Sequence, residues 1–278
     1  MTEPRPISLV TGANTGIGLV TATELARLGH RVILACRSEE KTRPAIDAIV
    51  ADTGNEAVEF LALALADLRS AGRAAATLVE RGDPLHLLVA NAGVAGQRGL
   101  TVQGFELAFG INHLGHFRFV TELLPLLSSS APSRIVIVSS DSHYSAKGID
   151  FDALRRSTAN ITGLPEYAVS KLANVLFAQE LARRLPEEVF VGALHPGVIA
   201  SDVWRRIPWP VRPLMKRFMK STTEGAQTSL LLATSDEVLP HRGAFWSEGA
   251  LKEPNPVATP ELAAELWARS EEWVATYG

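Results

Sequence analysis

Short runs of apolar residues alternate along the chain with longer segments in which apolar residues recur every three or four positions. The short runs are almost continuously apolar, which is typical of strands buried on both faces, and they predict strands at 7–10, 31–36, 58–63, 85–90, 134–140, 189–194 and 243–246. The longer segments predict helices at about 16–28, 39–52, 69–81, 101–127, 166–184 and 222–234. This alternation favours a doubly wound α/β fold, in which helices cover both faces of a parallel sheet.

The length and composition are compatible with one large domain. The chain has 278 residues, of which 46% are hydrophobic and 21% are charged, which is enough to form a full core. No linker rich in Pro, Gly or Ser divides the sequence, so we expect a single domain over 1–278. The longest irregular stretches, 141–165 and 195–221, are interpreted as loops around a site.

Charge and cysteine content exclude several classes of protein. The net charge of −3 gives no reason to expect a nucleic-acid partner. Cys36 is the only cysteine, so no disulfide forms within the chain and a reducing compartment is expected. No signal-peptide pattern is present, and no apolar run approaches the roughly 18 residues of a membrane span. We therefore expect a cytoplasmic protein without an integral membrane segment.

The first predicted strand runs into a glycine-rich turn at the start of the first helix. Gly12, Gly16 and Gly18 have the spacing G-x-x-x-G-x-G, and the turn is completed by Asn14, Thr15 and Ile17. Such a turn lets backbone N–H groups approach a pyrophosphate at the positive end of a helix. Tight turns also use glycine for steric reasons alone, so glycine spacing by itself is weak evidence for a nucleotide site. The position of this turn between a strand and a helix is what makes it an indication of nucleotide binding.

The end of the second predicted strand carries an arginine. A nucleotide without a 2′-phosphate is usually met there by a carboxylate, whereas this sequence has Cys36 and Arg37. A guanidinium can pair with a 2′-phosphate, which favours NADP(H) over NAD(H). Arg37 is alternatively an ordinary surface residue, and Glu39 and Glu40 lie close by, so NAD(H) stays open as the cofactor.

Two further strand ends are candidates for cofactor contacts. Asp67 and Leu68 follow the third strand, where Asp67 is positioned either to meet the adenine or to cap the next helix. The small turn formed by Asn91, Ala92 and Gly93 follows the fourth strand and lets a cofactor pass close to the backbone.

Tyr167 and Lys171 lie one turn apart in a predicted helix, and residues at i and i+4 share one helix face. A tyrosine has a pKa of roughly 10, and a nearby ammonium is expected to lower it towards neutrality. The pair is therefore a candidate acid/base pair. The alternative is a lysine whose stem packs beside a half-buried tyrosine.

His113 and His116 are three apart, but no acidic or cysteine co-ligand accompanies them, so we expect packing roles and no metal site.

Taken together, these motifs resemble the short-chain dehydrogenase/reductase family, and the resemblance covers essentially the whole chain. They appear in the family's order as TGANTGIG (11–18), NAG (91–93), Asn112, Ser140, Tyr167-x-x-x-Lys171 and HPG (195–197). The segments ACR, INHLGHF, SKLANVLFAQELARRL and HPGVIASD are similar to the retinol dehydrogenase and WW-domain oxidoreductase branch. ANAG stands in place of the common NNAG, and the membrane anchor of many retinol dehydrogenases is missing.

The resemblance implies a Rossmann-type fold, with a cofactor half at about 1–130 and a catalytic and substrate-binding half at about 131–278. It implies that Tyr167 donates or removes the substrate proton and that Ser140, rather than its rival Ser139, holds the substrate oxygen. Asn112 would support a water that relays protons to Lys171, which also reaches the ribose.

The same resemblance assigns roles to the segment after the sixth strand. A turn at Pro196 and Gly197 would lie under the nicotinamide, while Val198 and Ser201 would hold its carboxamide. Residues 198–221 would form a lid over the substrate, and Trp204, Trp209 and Phe218 within it suggest a lipophilic carbonyl or alcohol. The lid alternatively packs on its own domain or contacts a membrane surface.

We therefore expect an NADP(H)-preferring oxidoreductase that interconverts a carbonyl and an alcohol. A regulatory protein that senses NAD(P) on the same fold without turnover is the alternative, although it would need no proton donor. An epimerase or dehydratase of the extended branch is disfavoured, because little chain follows residue 195. A homodimer stays open.

Overall fold

The structure, a computed structural model, describes residues 5–197 and 221–277. Its strands, numbered β1 to β8 in chain order, are Ile7–Thr11, Arg31–Cys36, Val58–Ala62, Leu87–Ala90, Ser133–Val138, Val189–His195, Phe245–Ser247 and Ala250–Leu251. They form one sheet in the order β3-β2-β1-β4-β5-β6-β7-β8. The first seven strands are parallel, and β8 pairs with β7 in the antiparallel direction. This arrangement confirms the doubly wound α/β fold expected from the sequence.

Helices cover both faces of this sheet. Numbered α1 to α8 in chain order, the α-helices are Gly16–Arg27, Glu39–Thr53, Leu68–Arg81, Leu107–Phe109, Gly115–Ser129, Leu164–Arg184, Thr222–Thr234 and Pro260–Ala275. A π-helical turn, Gly110–Leu114, joins α4 to α5. Helices α1, α2 and α7 contribute to the core on one face, while α3, α5, α6 and α8 contribute to the core on the other.

The apolar strands are explained by this double coverage. Leu9 and Leu88 pack in one core, whereas Val10 and Val89, their neighbours along β1 and β4, pack in the other, and all four are fully buried. Successive strand residues point to opposite faces, so a strand covered on both sides is apolar at every position.

Two helix predictions need correction. The helix expected at about 101–127 begins only at Leu107, because the Thr101 amide donates to the Phe105 carbonyl and closes a turn ahead of it. The helix then passes through the π turn and ends at Ser129. Helix α8 was not predicted at all, although Thr259 and Pro260 form an ordinary helix start.

The strand order reverses between β1 and β4, since the chain leaves β1 towards β2 and β3 and then returns to β4 on the other side. Ligands of open α/β sheets bind outside the carboxyl ends of the strands at such a point.

Within the described residues, none of the helices combines the length and the apolar character that a membrane crossing requires.

Candidate active site

The glycine-rich turn after β1 is shaped by its contact with the turn after β4. Gly12 has a φ of 64°, and a Cβ added there would lie 2.9 Å from the Cβ of Ala92. A Cβ on Gly18 would lie 2.4 Å from the side-chain nitrogen of Asn91. Gly16 has a φ of 62°, and an added Cβ would meet no described atom within 4 Å. Gly12 and Gly18 thus serve the protein's own packing, while Gly16 borders open space that suits a phosphate.

Thr11, which belongs to the TGANTGIG motif but had no predicted role, joins these two turns. Its hydroxyl oxygen accepts hydrogen bonds from the amides of Asn91 and Ala92, both at 2.9 Å. The Asn91 side chain donates in return to the Thr11 carbonyl at 2.8 Å. The only local signal was a threonine at the last position of a buried strand. Of the other predicted turn residues, Thr15 is the exposed N-cap of α1, and Asn14 and Ile17 are partly exposed beside it.

Arg37 is exposed immediately beyond β2 and follows the buried Cys36. In the described part of the chain, no carboxylate forms an ion pair with Arg37 within 4.0 Å. The neighbouring Glu39 is paired with Arg43 at 2.8 Å. The side chain of Ser38 caps α2 by accepting from the Lys41 amide. The guanidinium at this strand end is therefore available to a ligand, whereas the Glu39 carboxylate already has a cation beside it.

Asp67 lies five residues beyond the end of β3 and caps α3 by accepting from the Arg69 amide at 3.1 Å. The Gln103 side chain donates to the same Asp67 oxygen at 2.8 Å and accepts from the Leu68 amide at 3.1 Å. The structure thus shows the capping role that the sequence left open for Asp67. The Asp67 carboxylate and the Leu68 amide, which we expect to contact the adenine, are hydrogen-bonded to Gln103 in this structure. A contact between these two residues and the cofactor stays a prediction.

The end of β5 and the first two turns of α6 bring Ser140, Tyr167 and Lys171 together. The Ser140 hydroxyl lies near the Tyr167 phenol and acts to lower its pKa, while it donates to the Ser142 hydroxyl at 3.2 Å and accepts from the Ser142 amide at 3.1 Å. The Lys171 ammonium lies 5.6 Å from the centre of the Tyr167 ring and donates to the Val138 carbonyl at 3.0 Å. Ser139 instead donates to the main-chain carbonyl of Lys171 at 2.7 Å. The second serine of the pair is therefore the one that faces the tyrosine.

Asn112 lies in the π turn and is fully buried. Its side chain exchanges two hydrogen bonds with the backbone of Val94, at 2.8 and 2.9 Å, and donates to the Ser170 hydroxyl at 2.9 Å. A Cβ on Gly93 would lie 3.2 Å from the Asn112 side-chain oxygen and 3.6 Å from the Lys171 nitrogen. The turn after β4 therefore approaches both Asn112 and Lys171, and glycine keeps that approach open.

Burial controls the electrostatics of the tyrosine and the lysine. Desolvation of the ammonium lowers the pKa of Lys171 to about 7. Burial raises the pKa of the Tyr167 phenol, and the nearby Ser140 hydroxyl only partly opposes this rise. The expectation that Lys171 lowers the pKa of Tyr167 is thus wrong for this structure. In the resting site, the desolvation of a phenolate outweighs the attraction of an ammonium that lies beside the ring.

The histidines of the π turn and α5 are buried in different surroundings. His113 packs against the rings of Phe109, Phe117 and Phe177, and its Nε2 lies 3.2 Å from the Ser270 hydroxyl. His116 hydrogen-bonds at both ring nitrogens within the protein. Across residues 5–197 and 221–277, no group of three or more His, Cys, Asp or Glu side chains is placed to hold a metal ion.

The chain after β6 is described only as far as Gly197. Pro196 is partly exposed, and Gly197 is buried with a φ of 94°, while the turn under the nicotinamide stays a prediction. Val198, Ser201 and the predicted lid, apart from its last residue Ser221, lie outside the described residues.

Known proteins resemble this chain along nearly its whole length. A family model described as short chain dehydrogenase matches residues 6–151. Human retinol dehydrogenase 13 is 41% identical over 280 residues, which cover 97% of this chain and 84% of that protein. Human retinol dehydrogenase 14 is 41% identical and covers 95% of this chain and 84% of its own length. The WW domain-containing oxidoreductase of Danio rerio is 39% identical over 96% of this chain and 68% of its own length.

Solved structures share the fold. A protein from Mycobacterium paratuberculosis is 33% identical, with a TM-score of 0.77 over 97% of this chain and 93% of that chain. A short-chain dehydrogenase from Shigella flexneri, in complex with NADP, is 24% identical, with a TM-score of 0.69 over 88% of this chain and 97% of that chain. At that identity, the second structure shows the fold alone.

Proposed function

Because this chain belongs to the short-chain dehydrogenase family and is an NAD(P)-dependent oxidoreductase that acts on CH–OH groups, we propose that it prefers NADP(H) and interconverts a carbonyl and an alcohol on a lipophilic small molecule. We assign the proton chemistry to Ser140, Tyr167 and Lys171, with Asn112 behind them. The observation that carries this assignment is the convergence of three side chains: the Ser140 hydroxyl lies near the Tyr167 phenol, and the Lys171 ammonium lies 5.6 Å from the centre of the Tyr167 ring.

Because burial raises the pKa of Tyr167, the phenol is protonated near neutral pH and holds the proton that a reduction requires. In the reducing direction, its hydroxyl gives a proton to the oxygen of the carbonyl, and the Ser140 hydroxyl donates a second hydrogen bond to the same oxygen. Lys171 is fixed by the Val138 carbonyl, and its charge stabilises the phenolate that Tyr167 leaves behind. In the oxidising direction, the same groups remove the alcohol proton.

The residues at the carboxyl end of the sheet fit a nicotinamide dinucleotide. The open space beside Gly16 suits the pyrophosphate at the start of α1, and the exposed guanidinium of Arg37 suits a 2′-phosphate. When bound, the nicotinamide supplies or accepts the hydride. The Lys171 ammonium has three donors, of which the Val138 carbonyl accepts from one, and the ribose hydroxyls are the further partners we propose.

A lipophilic substrate is supported from two sides. The names of the relatives include retinol dehydrogenases 12, 13 and 14, whose named substrate is an apolar alcohol. The lid segment contains Trp204, Trp209 and Phe218, which can bury such a molecule. We therefore propose that kcat/KM rises along a series of aldehydes of increasing chain length. The cytoplasmic location, the homodimer and the single domain remain predictions from the sequence.

The decisive experiment compares Tyr167→Phe with Tyr144→Phe in an NADPH oxidation assay on the best substrate of an aldehyde and ketone screen. Tyr167→Phe should lose at least about 100-fold in kcat because the proton donor is gone, while the dissociation constant for NADPH stays close to that of wild type. Tyr144 is the matched control, since its hydroxyl donates to the Glu253 carbonyl outside the reacting groups. Intact NADPH binding without turnover of any substrate in the wild type would favour the sensor instead.

A further inference from the structure

His116 lies in the first turn of α5, is 2% exposed, and connects two parts of the site that are far apart in sequence. Its Nδ1 lies 3.0 Å from the main-chain carbonyl oxygen of Asn112. Its Nε2 lies 2.9 Å from the hydroxyl oxygen of Thr11, 105 positions earlier in the chain. A histidine expected to have only a packing role is therefore bonded at both ring nitrogens to groups of the candidate site.

The direction of each of these bonds follows from the partners. A carbonyl oxygen only accepts, so the proton of the His116 ring lies on Nδ1. The Thr11 oxygen already accepts from the amides of Asn91 and Ala92, so its own proton is the one directed at Nε2. The chain of bonds then runs in one sense, from the two amides through Thr11 and His116 to Asn112. A neutral ring suits this arrangement, and burial lowers the pKa of His116 to about 4.

We infer that His116 is a positioning residue, which fixes the main-chain carbonyl of Asn112 relative to the turns after β1 and β4. The side chain of Asn112 is already bonded to Val94 and Ser170, so the backbone carbonyl is the group through which Asn112 can support a proton-relaying water. His116 holds that same oxygen. The inference rests on the proposed function, since it gives the carbonyl a task in turnover.

Three substitutions separate the two halves of the link. His116→Phe keeps a ring but removes both bonds. In His116→Asn, the side-chain amide nitrogen takes the place of Nδ1 and can still donate to the Asn112 carbonyl. In His116→Gln, the side-chain amide takes the place of Nε2 and can bond only to Thr11. His113→Phe is the matched control, because His113 is equally buried three residues away and packs among phenylalanine rings.

We expect His116→Phe to lower kcat about ten-fold while the dissociation constant for NADPH changes less than about two-fold, because one bond to a buried carbonyl is lost and the cofactor contacts are not. His116→Asn should recover most of kcat, His116→Gln should resemble His116→Phe, and His113→Phe should keep the kcat of wild type. An unchanged kcat in His116→Phe would overturn the inference. Recovery of kcat in His116→Gln but not in His116→Asn would also overturn it, and so would a loss of NADPH affinity in His116→Phe as large as the loss of kcat. Each result would show that the bond to Thr11, rather than the bond to Asn112, determines kcat.

A second measurement does not depend on turnover. In protein labelled with ¹⁵N-histidine, His116 should show a protonated Nδ1 and an unprotonated Nε2 that stay unchanged down to about pH 5, since its pKa is about 4. The opposite tautomer would refute the link even in an active enzyme. A wild type that shows this tautomer but turns over no carbonyl or alcohol would instead refute the proposed function and leave the link between Thr11, His116 and Asn112 in place.

Discussion

Lys171 has its ammonium group in the protein interior, where the residue is 3% exposed and its pKa is lowered to about 7. The folded protein therefore binds this proton less tightly than the unfolded chain does, and the free energy of unfolding rises with pH between about 7 and 10.5. Near neutral pH, the buried charge destabilises the fold. Stability therefore does not explain a lysine at this position, which agrees with the role proposed for Lys171.

Replacing Lys171 with Met should accordingly stabilise the protein while it abolishes turnover. Met keeps the buried stem, and the Val138 carbonyl still accepts from the Asn174 side chain at 3.1 Å. We expect the free energy of unfolding at pH 7 to rise by about 1–3 kcal/mol and NADPH affinity to fall. Chemical denaturation at pH 7 and pH 10 is the measurement, and the gain should be smaller at pH 10. A less stable variant at pH 7 would show that the ammonium contributes to the fold.

Arg37 should decide the cofactor preference. Arg37→Ser should raise KM for NADPH by about ten-fold, because charge-assisted bonds to the 2′-phosphate are lost. Adding Cys36→Asp should improve NAD(H), since the amides of Gly12, Ala13 and Asn14 face this side chain and would stabilise a carboxylate.

The measurement for Arg37 is KM and kcat with both cofactors at one fixed ionic strength. Arg43→Ser removes another exposed arginine and serves as the control. A wild type that already prefers NAD(H) would contradict the proposal for Arg37 and shift attention to Glu39 and Glu40.

Helix α8 packs against α6, the helix that carries Tyr167 and Lys171. Trp267 is 6% exposed and lies 5.0 Å from the ring of Phe117 and 5.9 Å from that of Phe177, measured between ring centres. The Arg184 guanidinium lies over its outer face at 4.4 Å. Because Phe177 belongs to α6, the packing of α8 supports the element on which Tyr167 and Lys171 lie.

Trp267→Ala should therefore lower the free energy of unfolding by about 3–5 kcal/mol through the cavity it leaves. Trp267→Phe should cost less, because an aromatic contact remains and the indole nitrogen has no hydrogen-bond partner among the described residues. Glu271→Ala, on the exposed face of the same helix, should change little. Urea denaturation followed by fluorescence or circular dichroism compares the three, and equal losses for Ala and Phe would exclude the cavity explanation.

Across the whole molecule, six of the seven histidines have lowered pKa values, mainly because they are buried. The pKa of His113 falls to about 3 and that of His116 to about 4. The unfolded chain, whose histidines titrate near 6.5, binds more protons than the folded protein below that pH. The contribution of these neutral histidines to the free energy of unfolding is thus fully present above about pH 6.5 and is lost as the pH falls towards 4.

We expect the loss attributable to His116 to approach about 3 kcal/mol between pH 6.5 and pH 4, with a similar loss from His113. Equilibrium denaturation at half-unit steps measures this slope, and His113→Phe should reduce it by about one proton per molecule unfolded. A slope that is unchanged in that variant would show that His113 does not titrate on unfolding.

Local patterns in the sequence were enough to predict the sheet, most of its helices and the motifs of the site. Strands buried on both faces are apolar at every position, so β1, β2 and β6 were visible without knowledge of their neighbours. The Tyr167–Lys171 pair and the glycine turn were visible because spacing along a helix or a turn is a local property. The helix at the C-terminus was not predicted, because charged residues interrupt the apolar positions of Pro260–Ala275.

The remaining features depend on contacts between residues that are far apart in the chain. Several hydrogen bonds form only after the sheet and the helices have assembled. They join Gln103 to Asp67 and Leu68, Asn112 to Ser170, and His116 to Thr11. The direction of each pKa shift likewise follows from how deeply the fold buries a group and from what lies opposite. A sequence lists which groups are present, whereas burial and partners set their energies, and both arise from tertiary packing.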